Sequence, residues 1–271
     1  MRQVLKAKSA YSNADVQHVF DNITDYVTED EAARAVDEAA AETRVVLEGR
    51  TDEAVYGWSG GKDSIALQVV MERAGVRRSL LGTIRHLEFT RYLQWCAEHQ
   101  PDGLVHYANY AITPAWLAQP RNDRYLFPTN STDGYRWTML GTRRAQHLYQ
   151  EEHHPRMQIY GRRTMDGNSI PPTPYGVQTS RLLTTYSPIR HWSHEMVLAV
   201  IHYNQRPLPP VYGWPNGWKT GTGCWPGRRV GNRDSSFAET YAIEPARIVQ
   251  AAEHLPAAAD WLRRHGPGGE G

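Results

Sequence analysis

The hexapeptide Ser-Gly-Gly-Lys-Asp-Ser at residues 59–64 restricts the fold of this chain more than any other feature of the sequence. It follows a short apolar segment, residues 54–58, that reads as a strand, and it leads into a helical pattern over residues 62–74 that Gly75 ends. A strand, a glycine-rich turn and a helix N-terminus direct backbone N–H groups and the positive end of the helix dipole to one place. The pattern therefore predicts a pyrophosphate-binding turn within an α/β fold.

Each residue type in this turn suits a bound polyphosphate. The two adjacent glycines let the backbone approach a ligand and can adopt positive φ, and the two serines add hydroxyl groups. Lys62 supplies a cation, and Asp63 supplies an acceptor suited to a hydrated Mg²⁺. The spacing fits neither a Walker A loop nor the Gly-x-Gly-x-x-Gly fingerprint of dinucleotide-binding folds. The alternative without function is an ordinary turn in which serine and aspartate cap the helix.

Strand and helix patterns alternate through the middle of the chain, which predicts a parallel, twisted sheet with helices on both faces. A helix from Thr28 to the stop at Gly49 precedes the first strand, and a helix capped by Ser193 runs to residue 204. Between them we expect strands at 79–84, 104–107 and 158–160 and helices at 88–99 and 135–152.

Composition predicts three segments. Residues 1–50 form an N-terminal helical segment, and residues 51–205 form the nucleotide-binding α/β domain. Residues 206–271 form an irregular extension rich in Gly, Pro and Trp, followed by C-terminal helices that pack on the domain. The first 27 residues show only a weak pattern.

Charge and cysteine content exclude several classes of protein. The formal net charge is +1, so no global basic field attracts DNA or a membrane, and any anion site has to be local. The two cysteines, Cys96 and Cys224, are too few for a disulfide framework, and neither a signal peptide nor an apolar run of membrane-spanning length is present. We therefore expect a cytoplasmic protein without membrane association, and a homodimer is one assembly that the sequence leaves open.

Several motifs in order resemble those of the PP-loop ATP pyrophosphatases, also called the adenine nucleotide α-hydrolase superfamily. The turn at 59–64 matches its Ser-Gly-Gly-x-Asp-Ser. Further matches are similar to the phosphoadenosine phosphosulfate (PAPS) reductase-like branch. They are Leu-Glu-Phe-Thr-Arg-Tyr at 87–92, Gly-Arg-Arg at 161–163, Ser-Pro-Ile-x-x-Trp at 187–192 and Leu-Pro-Pro-Val-Tyr at 208–212. The resemblance covers roughly residues 55–227 and implies a Rossmann-like fold that binds ATP and Mg²⁺ and cleaves at the α-phosphorus.

The resemblance also implies roles for individual residues. Asp63 would be the metal ligand, and Lys62 and Asp63 would be catalytic. Backbone edges at the ends of the first two strands would bind adenine, and the turn after a later strand would lie at the nucleotide. The implied nucleotide-binding residues are Gly57, Trp58, Ser59, Gly60, Gly61, Lys62, Asp63, Ser64, Ile84, Gly161, Arg162 and Arg163.

The chain departs from reductases of this branch at their thiol. Those enzymes use a C-terminal cysteine as nucleophile, whereas no cysteine follows Cys224 here. Cys224 is also the one candidate ligand where iron–sulfur members of the branch have four, so we expect no iron–sulfur cluster. PAPS reduction is therefore disfavoured.

Other residues have a functional and a structural interpretation. His86 lies just beyond the second strand, where a catalytic base or phosphate donor would stand. Arg228, Arg229 and Arg233 either bind the second substrate or are ordinary surface arginines. His191 and His194 lack acidic or cysteine partners at ligand spacing, which favours surface or capping roles. Trp214, Trp218 and Trp225 either stack on a ligand or close an irregular loop over the core.

The sequence thus predicts an ATP-binding enzyme that adenylylates an unknown acceptor, a nucleobase or a small metabolite, and releases pyrophosphate. One alternative is an enzyme that binds PAPS or adenylyl sulfate and transfers sulfur with an external thiol. Another is a non-catalytic module that binds a nucleotide or a nucleic acid.

Overall fold

The structure, a computed structural model, describes residues 4–5, 11–180 and 183–267. The chain forms two compact units whose segments alternate along the sequence. Unit 1 comprises residues 1–81, 98–105 and 150–209, and unit 2 comprises residues 82–97, 106–149 and 210–271. The three segments expected from composition stay a prediction.

Six strands form one sheet in the order β3-β2-β1-β4-β6-β5. Strand β1 pairs in parallel with β2 and β4, and β4 pairs in parallel with β6, whereas β5 is antiparallel to β6. The strands are β1 (Ala54–Gly57), β2 (Ser79–Ile84), β3 (Leu104–Asn109), β4 (Met157–Ile159), β5 (Gln178–Thr179) and β6 (Thr184–Tyr186).

The strand order reverses at β1. The chain passes from β1 to β2 and β3 on one side and then returns to place β4 on the other side of β1. In open α/β sheets the crevice at such a reversal, outside the carboxyl ends of the strands, is where ligands bind. The turn that follows β1 and the turn that follows β4 both border this crevice.

Helices connect and cover the strands. Their bounds are α1 (Asn13–Asp21), α2 (Glu29–Leu47), α3 (Lys62–Ala74), α4 (Thr90–His99), α5 (Pro114–Leu117), α6 (Ser131–Leu140), α7 (Thr142–His153), α8 (His194–Tyr203), α9 (Gly217–Thr220), α10 (Arg233–Ile243), α11 (Pro245–Ala252) and α12 (Pro256–His265). The expected N-caps are present, because the Thr28 side chain accepts from the N–H of Glu31 and the Ser193 side chain accepts from the N–H of Met196.

Helices α2, α3 and α8 pack together in unit 1. Helix α3 buries most of its length, and α8 buries eight successive side chains, from His194 to Ile201. Helices that bury this much of their surface belong in a core. Helix α3, which begins at the glycine-rich turn, is therefore held rigidly behind it.

Unit 2 has an aromatic core. The rings of Phe127 and Phe237 meet edge to face at 5.0 Å, and Trp225 packs against both. The irregular stretch expected after residue 206 is ordered here by short 3₁₀ turns at Pro210–Gly213 and Trp225–Gly227 and by α9. The tryptophans were expected either to stack on a ligand or to close an irregular loop over the core. Trp218 and Trp225 are buried and pack within this segment, and the Trp218 ring lies 4.3 Å from the Tyr212 ring.

The α/β class with a mostly parallel sheet is confirmed, and several details differ from expectation. The helix expected over 135–152 is two helices, α6 and α7, because Gly141 has φ −88° and ψ −103°, outside the helical region. Helix α1 lies in the weakly patterned N-terminal stretch, helices α10, α11 and α12 follow residue 232, and the antiparallel strand β5 had no sequence signal. In the described residues, no helix combines the length and apolar character that crossing a membrane requires.

Candidate functional site: the turn after the central strand

The turn between β1 and α3 has the conformation that a glycine-rich anion site needs. Gly60 has φ +62°, in the left-handed region, and Gly61 is the N-cap of α3 without a capping side chain of its own. The Ser64 hydroxyl donates to the Gly61 carbonyl at 2.9 Å and accepts the Ser59 N–H at 3.1 Å. The turn is thereby closed on itself at the positive end of a helix of 13 residues.

The turn after β4 approaches the same helix end so closely that only glycine fits. A Cβ atom on Gly161 would stand 2.8 Å from the backbone carbonyl oxygen of Asp63. This contact brings residues 161–163 beside residues 59–64 within unit 1, as the resemblance implies for the nucleotide site. Two motifs that are about 100 residues apart in sequence therefore meet at the strand-order reversal.

Lys62 and Asp63 form a close ion pair at the first turn of α3. The Lys62 ammonium donates to Oδ1 of Asp63 at 2.9 Å and to Oδ2 at 2.8 Å, and its side chain is only 8% exposed. Nε of Arg163 lies 2.9 Å from Oδ1 of the same carboxylate. One carboxylate therefore faces two cations.

Arg163 is fully buried and is held on several sides. Its Nη1 donates to the carbonyl of Trp192 at 3.2 Å, and its Nη2 lies 3.0 Å from Oδ2 of Asp166 and 3.1 Å from Nδ1 of His194. Since a guanidinium only donates, Nδ1 of His194 accepts. His194 is thus a buried partner of Arg163, which corrects its expected surface or capping role.

Charges in this cluster set each other's protonation. Burial favours the neutral carboxylic acid of Asp63, but Lys62 and Arg163 outweigh burial and hold the pKa of Asp63 at about 2. Burial lowers the pKa of Lys62 below its usual value, and the negative charge of Asp63 opposes this. Burial, followed by the charge of Asp166, raises the pKa of the nearby Tyr11 hydroxyl to about 12. Around neutral pH the carboxylate is charged and the tyrosine is not.

The Asp63 carboxylate does not fit the role of Mg²⁺ ligand that the resemblance implies. Both of its oxygens accept from Lys62, and Oδ1 also faces Arg163, so its charge is already compensated. Within residues 4–5, 11–180 and 183–267, no group of three or more acidic, histidine or cysteine side chains is arranged to hold a metal ion. Mg²⁺ prefers a set of oxygen ligands that keeps several waters, and a carboxylate between two cations is a poor member of such a set.

Two of the expected adenine-binding positions, Trp58 and Ile84, are engaged in hydrogen bonds of the fold itself. The Trp58 N–H donates to Leu80 in the sheet, and its buried indole donates to Oε1 of Gln68 at 2.9 Å. Gly57 ends β1 beside the Tyr160 ring. In unit 2, Ile84 donates its N–H to Glu88 and accepts from the N–H of Leu87.

Two further candidate site residues, Arg162 and His86, differ in burial and lie in different units. Arg162 is half-buried with its guanidinium 4.2 Å from the centre of the Tyr160 ring, in the 161–163 turn of unit 1. In unit 2, His86 is exposed and lies edge-on to Tyr110 at 6.0 Å.

The three arginines expected to bind a second substrate have protein partners in unit 2. Arg228 is buried, lies 3.3 Å from Glu239 and donates to the Gly221 carbonyl at 2.6 Å. Arg229 is exposed and donates to the Thr129 carbonyl, and Arg233 is exposed and pairs with Asp123 at 2.9 Å. Arg228 therefore has the environment of a structural residue.

Glu88 is a buried acid that sequence reasoning missed. Its Oε1 accepts the Ile84 N–H at 3.0 Å, its buried Oε2 has no hydrogen-bond partner, and burial raises its pKa to about 7. The available signal was a charged residue between two apolar ones, Leu87 and Phe89, directly after a buried strand. Asp166 and His194 were missed as partners of Arg163 because neither carries a local pattern.

Comparison with known proteins returns structures of adenine nucleotide enzymes at low similarity. No protein-family profile and no curated protein sequence matches the chain. A Candida auris PAPS reductase in its phosphate complex is similar at 14% identity and a TM-score of 0.48, over 80% of this chain and 97% of that one. Candida glabrata FMN adenylyltransferase with FMN and an ATP analogue is similar at 10% identity and a TM-score of 0.47, over 82% and 73%.

Yeast FAD synthetase in complex with FAD is similar at 13% identity and a TM-score of 0.43, over 97% of this chain and 94% of that one. These structures include a PAPS reductase, the class whose motifs the sequence resembles. At this level of similarity we base the functional proposal on the geometry of the site in unit 1.

Proposed function

We propose that this protein is an enzyme that binds ATP with its phosphates on the 59–64 turn and transfers the adenylyl group to an acceptor. The observation that carries the proposal is the position of the turn. A closed glycine-rich turn with a buried lysine lies at the end of β1, where the strand order reverses, and the turn after β4 packs against it. Backbone N–H groups, a helix dipole and an ammonium at a ligand-binding crevice suit a polyphosphate.

Adenylyl transfer is the reaction that we propose at this turn. An acceptor oxygen attacks the α-phosphorus of ATP, the bond to the bridging oxygen of the β-phosphate breaks, and pyrophosphate leaves with that electron pair. The proton of the acceptor is lost to solvent or to a nearby base. Lys62 and the N–H groups at the start of α3 stabilise negative charge on the phosphates, and the rigid helix keeps them in place.

The cysteines support transfer to an oxygen over chemistry on the chain's own thiol. Cys96 and Cys224 are both buried. Burial raises the pKa of Cys96 to about 12 and that of Cys224 well above its usual value, so neither thiol is ionised near neutral pH. The acceptor that we propose is a nucleobase or a small metabolite.

Isothermal titration with a non-hydrolysable ATP analogue tests the binding step. We expect Lys62→Met to weaken binding roughly tenfold or more, because a hydrogen-bonded charge is lost at the phosphates. Lys219→Met is the matched control, since Lys219 is an exposed lysine of unit 2 and its removal leaves binding unchanged. Equal affinity in the Lys62 variant and the wild type would contradict the site.

The chemical step is tested with α-labelled ATP and a panel of nucleobase and metabolite acceptors. We expect labelled adenylylated product, or AMP, together with one equivalent of pyrophosphate. Tight binding of adenosine 3′,5′-bisphosphate with weak binding of ATP would instead favour the PAPS alternative.

A further inference from the structure

We infer that Asp63 is a positioning residue that acts with Arg163 to hold the Lys62 ammonium at the phosphate-binding turn, and that it is not a metal ligand. This inference rests on the proposed function, because it states how that site obtains its cation. The three charged groups concerned lie in contact within unit 1.

The geometry of the Asp63 carboxylate is the first support for this positioning role. Lys62 contacts both oxygens of Asp63, at 2.9 and 2.8 Å, so the ammonium is held in a two-point contact by the next residue in the chain. A lysine side chain loses up to about 2 kcal/mol of rotamer entropy when it is fixed. A lysine that is already fixed before the nucleotide arrives loses less on binding.

The environment of Arg163 is the second support, because it indicates that Arg163 orients the Asp63 carboxylate. Its side chain is 0% exposed, and Trp192, Asp166 and His194 bind its two Nη atoms. Its Nε lies 2.9 Å from Oδ1 of Asp63 as an ion pair, although the Nε–H makes no hydrogen bond. A guanidinium fixed on this many sides cannot follow a ligand, so Arg163 orients the carboxylate rather than reaching for phosphate. Arg162, half-buried beside it, is the arginine of this turn with access to solvent.

The balance of charge around Asp63 is the third support, because it disfavours a metal ion there. With Asp63 and Asp166 charged and His194 accepting from Arg163, the four ionised side chains Lys62, Arg163, Asp63 and Asp166 balance. A divalent cation at Asp63 would stand beside two cations that already lie within 3 Å of the same carboxylate, and like charges at such distances repel strongly. An approaching polyphosphate would instead be attracted by the Lys62 ammonium, and the Asp63 carboxylate would oppose that attraction in part.

The two roles of Asp63 predict different effects of magnesium on the ATP affinity of an Asp63→Asn variant. For a positioning residue, the loss of ATP affinity, expected at roughly tenfold, is the same with Mg²⁺ and with EDTA because it acts through Lys62. For a metal ligand, the loss is present with Mg²⁺ and disappears in EDTA. Titration of the wild type and the variant with the non-hydrolysable ATP analogue under both conditions distinguishes them.

A second measurement needs no nucleotide, so it separates failure of this inference from failure of the proposed function. The rate of acylation of each lysine by an amine-reactive reagent is followed by mass spectrometry. We expect Asp63→Asn to raise the rate at Lys62 several-fold, because the ammonium loses its partner, and to leave Lys219 unchanged. A rise in the acylation rate of both lysines would indicate that the variant unfolds. In that case, acylation of the wild type with and without Mg²⁺ decides between the two roles of Asp63.

In that comparison, millimolar Mg²⁺ without nucleotide leaves the acylation rate of wild-type Lys62 unchanged if Asp63 is a positioning residue. If Mg²⁺ alone accelerates Lys62 toward the rate of Asp63→Asn, the ion competes with Lys62 for the carboxylate, and the inference is overturned. If the wild type does not bind ATP but Mg²⁺ leaves its Lys62 acylation rate unchanged, the proposed function is rejected and the role of Asp63 is not.

Discussion

Gly161 is the residue at which packing and the candidate site meet most directly. Gly161→Ala places a Cβ 2.8 Å from the Asp63 carbonyl oxygen, so the 161–163 turn or the start of α3 has to shift. We expect a loss of ATP-analogue affinity of roughly tenfold, because a displacement of even 1 Å misaligns the site. Isothermal titration measures it.

Gly134→Ala is the control for that substitution. Gly134 lies within α6, and a Cβ there meets nothing within 4 Å. Alanine in a helix interior is favoured over glycine by about 0.5–1 kcal/mol, so this variant gains slight stability and keeps its nucleotide affinity. Equal affinities of the two variants would show that the 161–163 turn does not belong to the site.

Glu88 makes a residue-scale prediction about pH. Burial raises its pKa in the folded state to about 7, above the ordinary 4.5, so the folded chain holds a proton that the unfolded chain has released between these values. Protonated Glu88 therefore contributes fully to the free energy of unfolding below about pH 4.5, and this contribution is lost as the pH rises through 7. Glu88→Gln keeps an acceptor for the Ile84 N–H and cannot ionise.

We therefore expect the free energy of unfolding of the wild type to fall, relative to Glu88→Gln, between pH 5 and pH 8. Urea unfolding at several pH values measures the difference. Glu253→Gln, at an exposed glutamate, is the control and should track the wild type throughout. Parallel pH profiles for wild type and Glu88→Gln would show that Glu88 is solvated in the folded protein.

At the scale of elements, α10 is tied to the irregular stretch before it by one buried ion pair. Arg228 and Glu239 lie 3.3 Å apart and both are buried, and Glu239 also accepts from the Asn216 side chain at 2.6 Å. Arg228→Met leaves Glu239 as a buried charge without its cation, and such changes cost about 3–5 kcal/mol. Urea unfolding should show this loss.

Arg229→Met is the matched control, because Arg229 is the exposed neighbour and its loss stays within about 0.5 kcal/mol. The double variant Arg228→Met with Glu239→Leu should recover much of the loss by removing both charges. If Arg228→Met leaves stability unchanged but weakens acceptor binding, the substrate-binding interpretation of Arg228 is the correct one.

Local patterns explain which elements could be predicted. The bounds of α3 and β2 follow from a glycine stop and a short apolar run, and Thr28 and Ser193 mark real N-caps. Gly141 divides a stretch that reads as one helix, since a single residue with ψ −103° carries no periodic signal. Strand β5 has two exposed residues, Gln178 and Thr179, and lacks any alternation to detect.

The candidate site shows the same limit. The turn at 59–64 and the glycine at 161 carry motif signals, whereas the pairing of Arg163 with Asp166 and His194 depends on three segments that only the fold brings together. Spacing could suggest that Asp63 suits a metal, but only the structure shows two cations at its oxygens. The sequence thus suggests the candidate site, and the side-chain contacts show which of its charged residues pair with one another.

At the scale of the whole molecule, the near-neutral total charge hides an uneven distribution. Unit 1 carries 16 Lys and Arg against 20 Asp and Glu, whereas unit 2 carries 14 against 9. The acidic excess lies in the unit that holds the candidate phosphate-binding turn, so an anion site there would have to depend on local groups. Long-range attraction of a nucleic acid would have to come from unit 2.

This distribution predicts how the chain responds to nucleic acid. We expect a labelled single-stranded oligonucleotide to bind no more tightly than about 10⁻⁶ M at ~0.15 M salt, because a modest excess of arginine neutralises few phosphates. Binding at low salt should weaken steeply as salt rises and should not compete with the ATP analogue, for which we propose a site in unit 1. Fluorescence anisotropy over a salt series measures both. Tight binding that persists at ~0.15 M salt would favour the nucleic-acid-binding alternative.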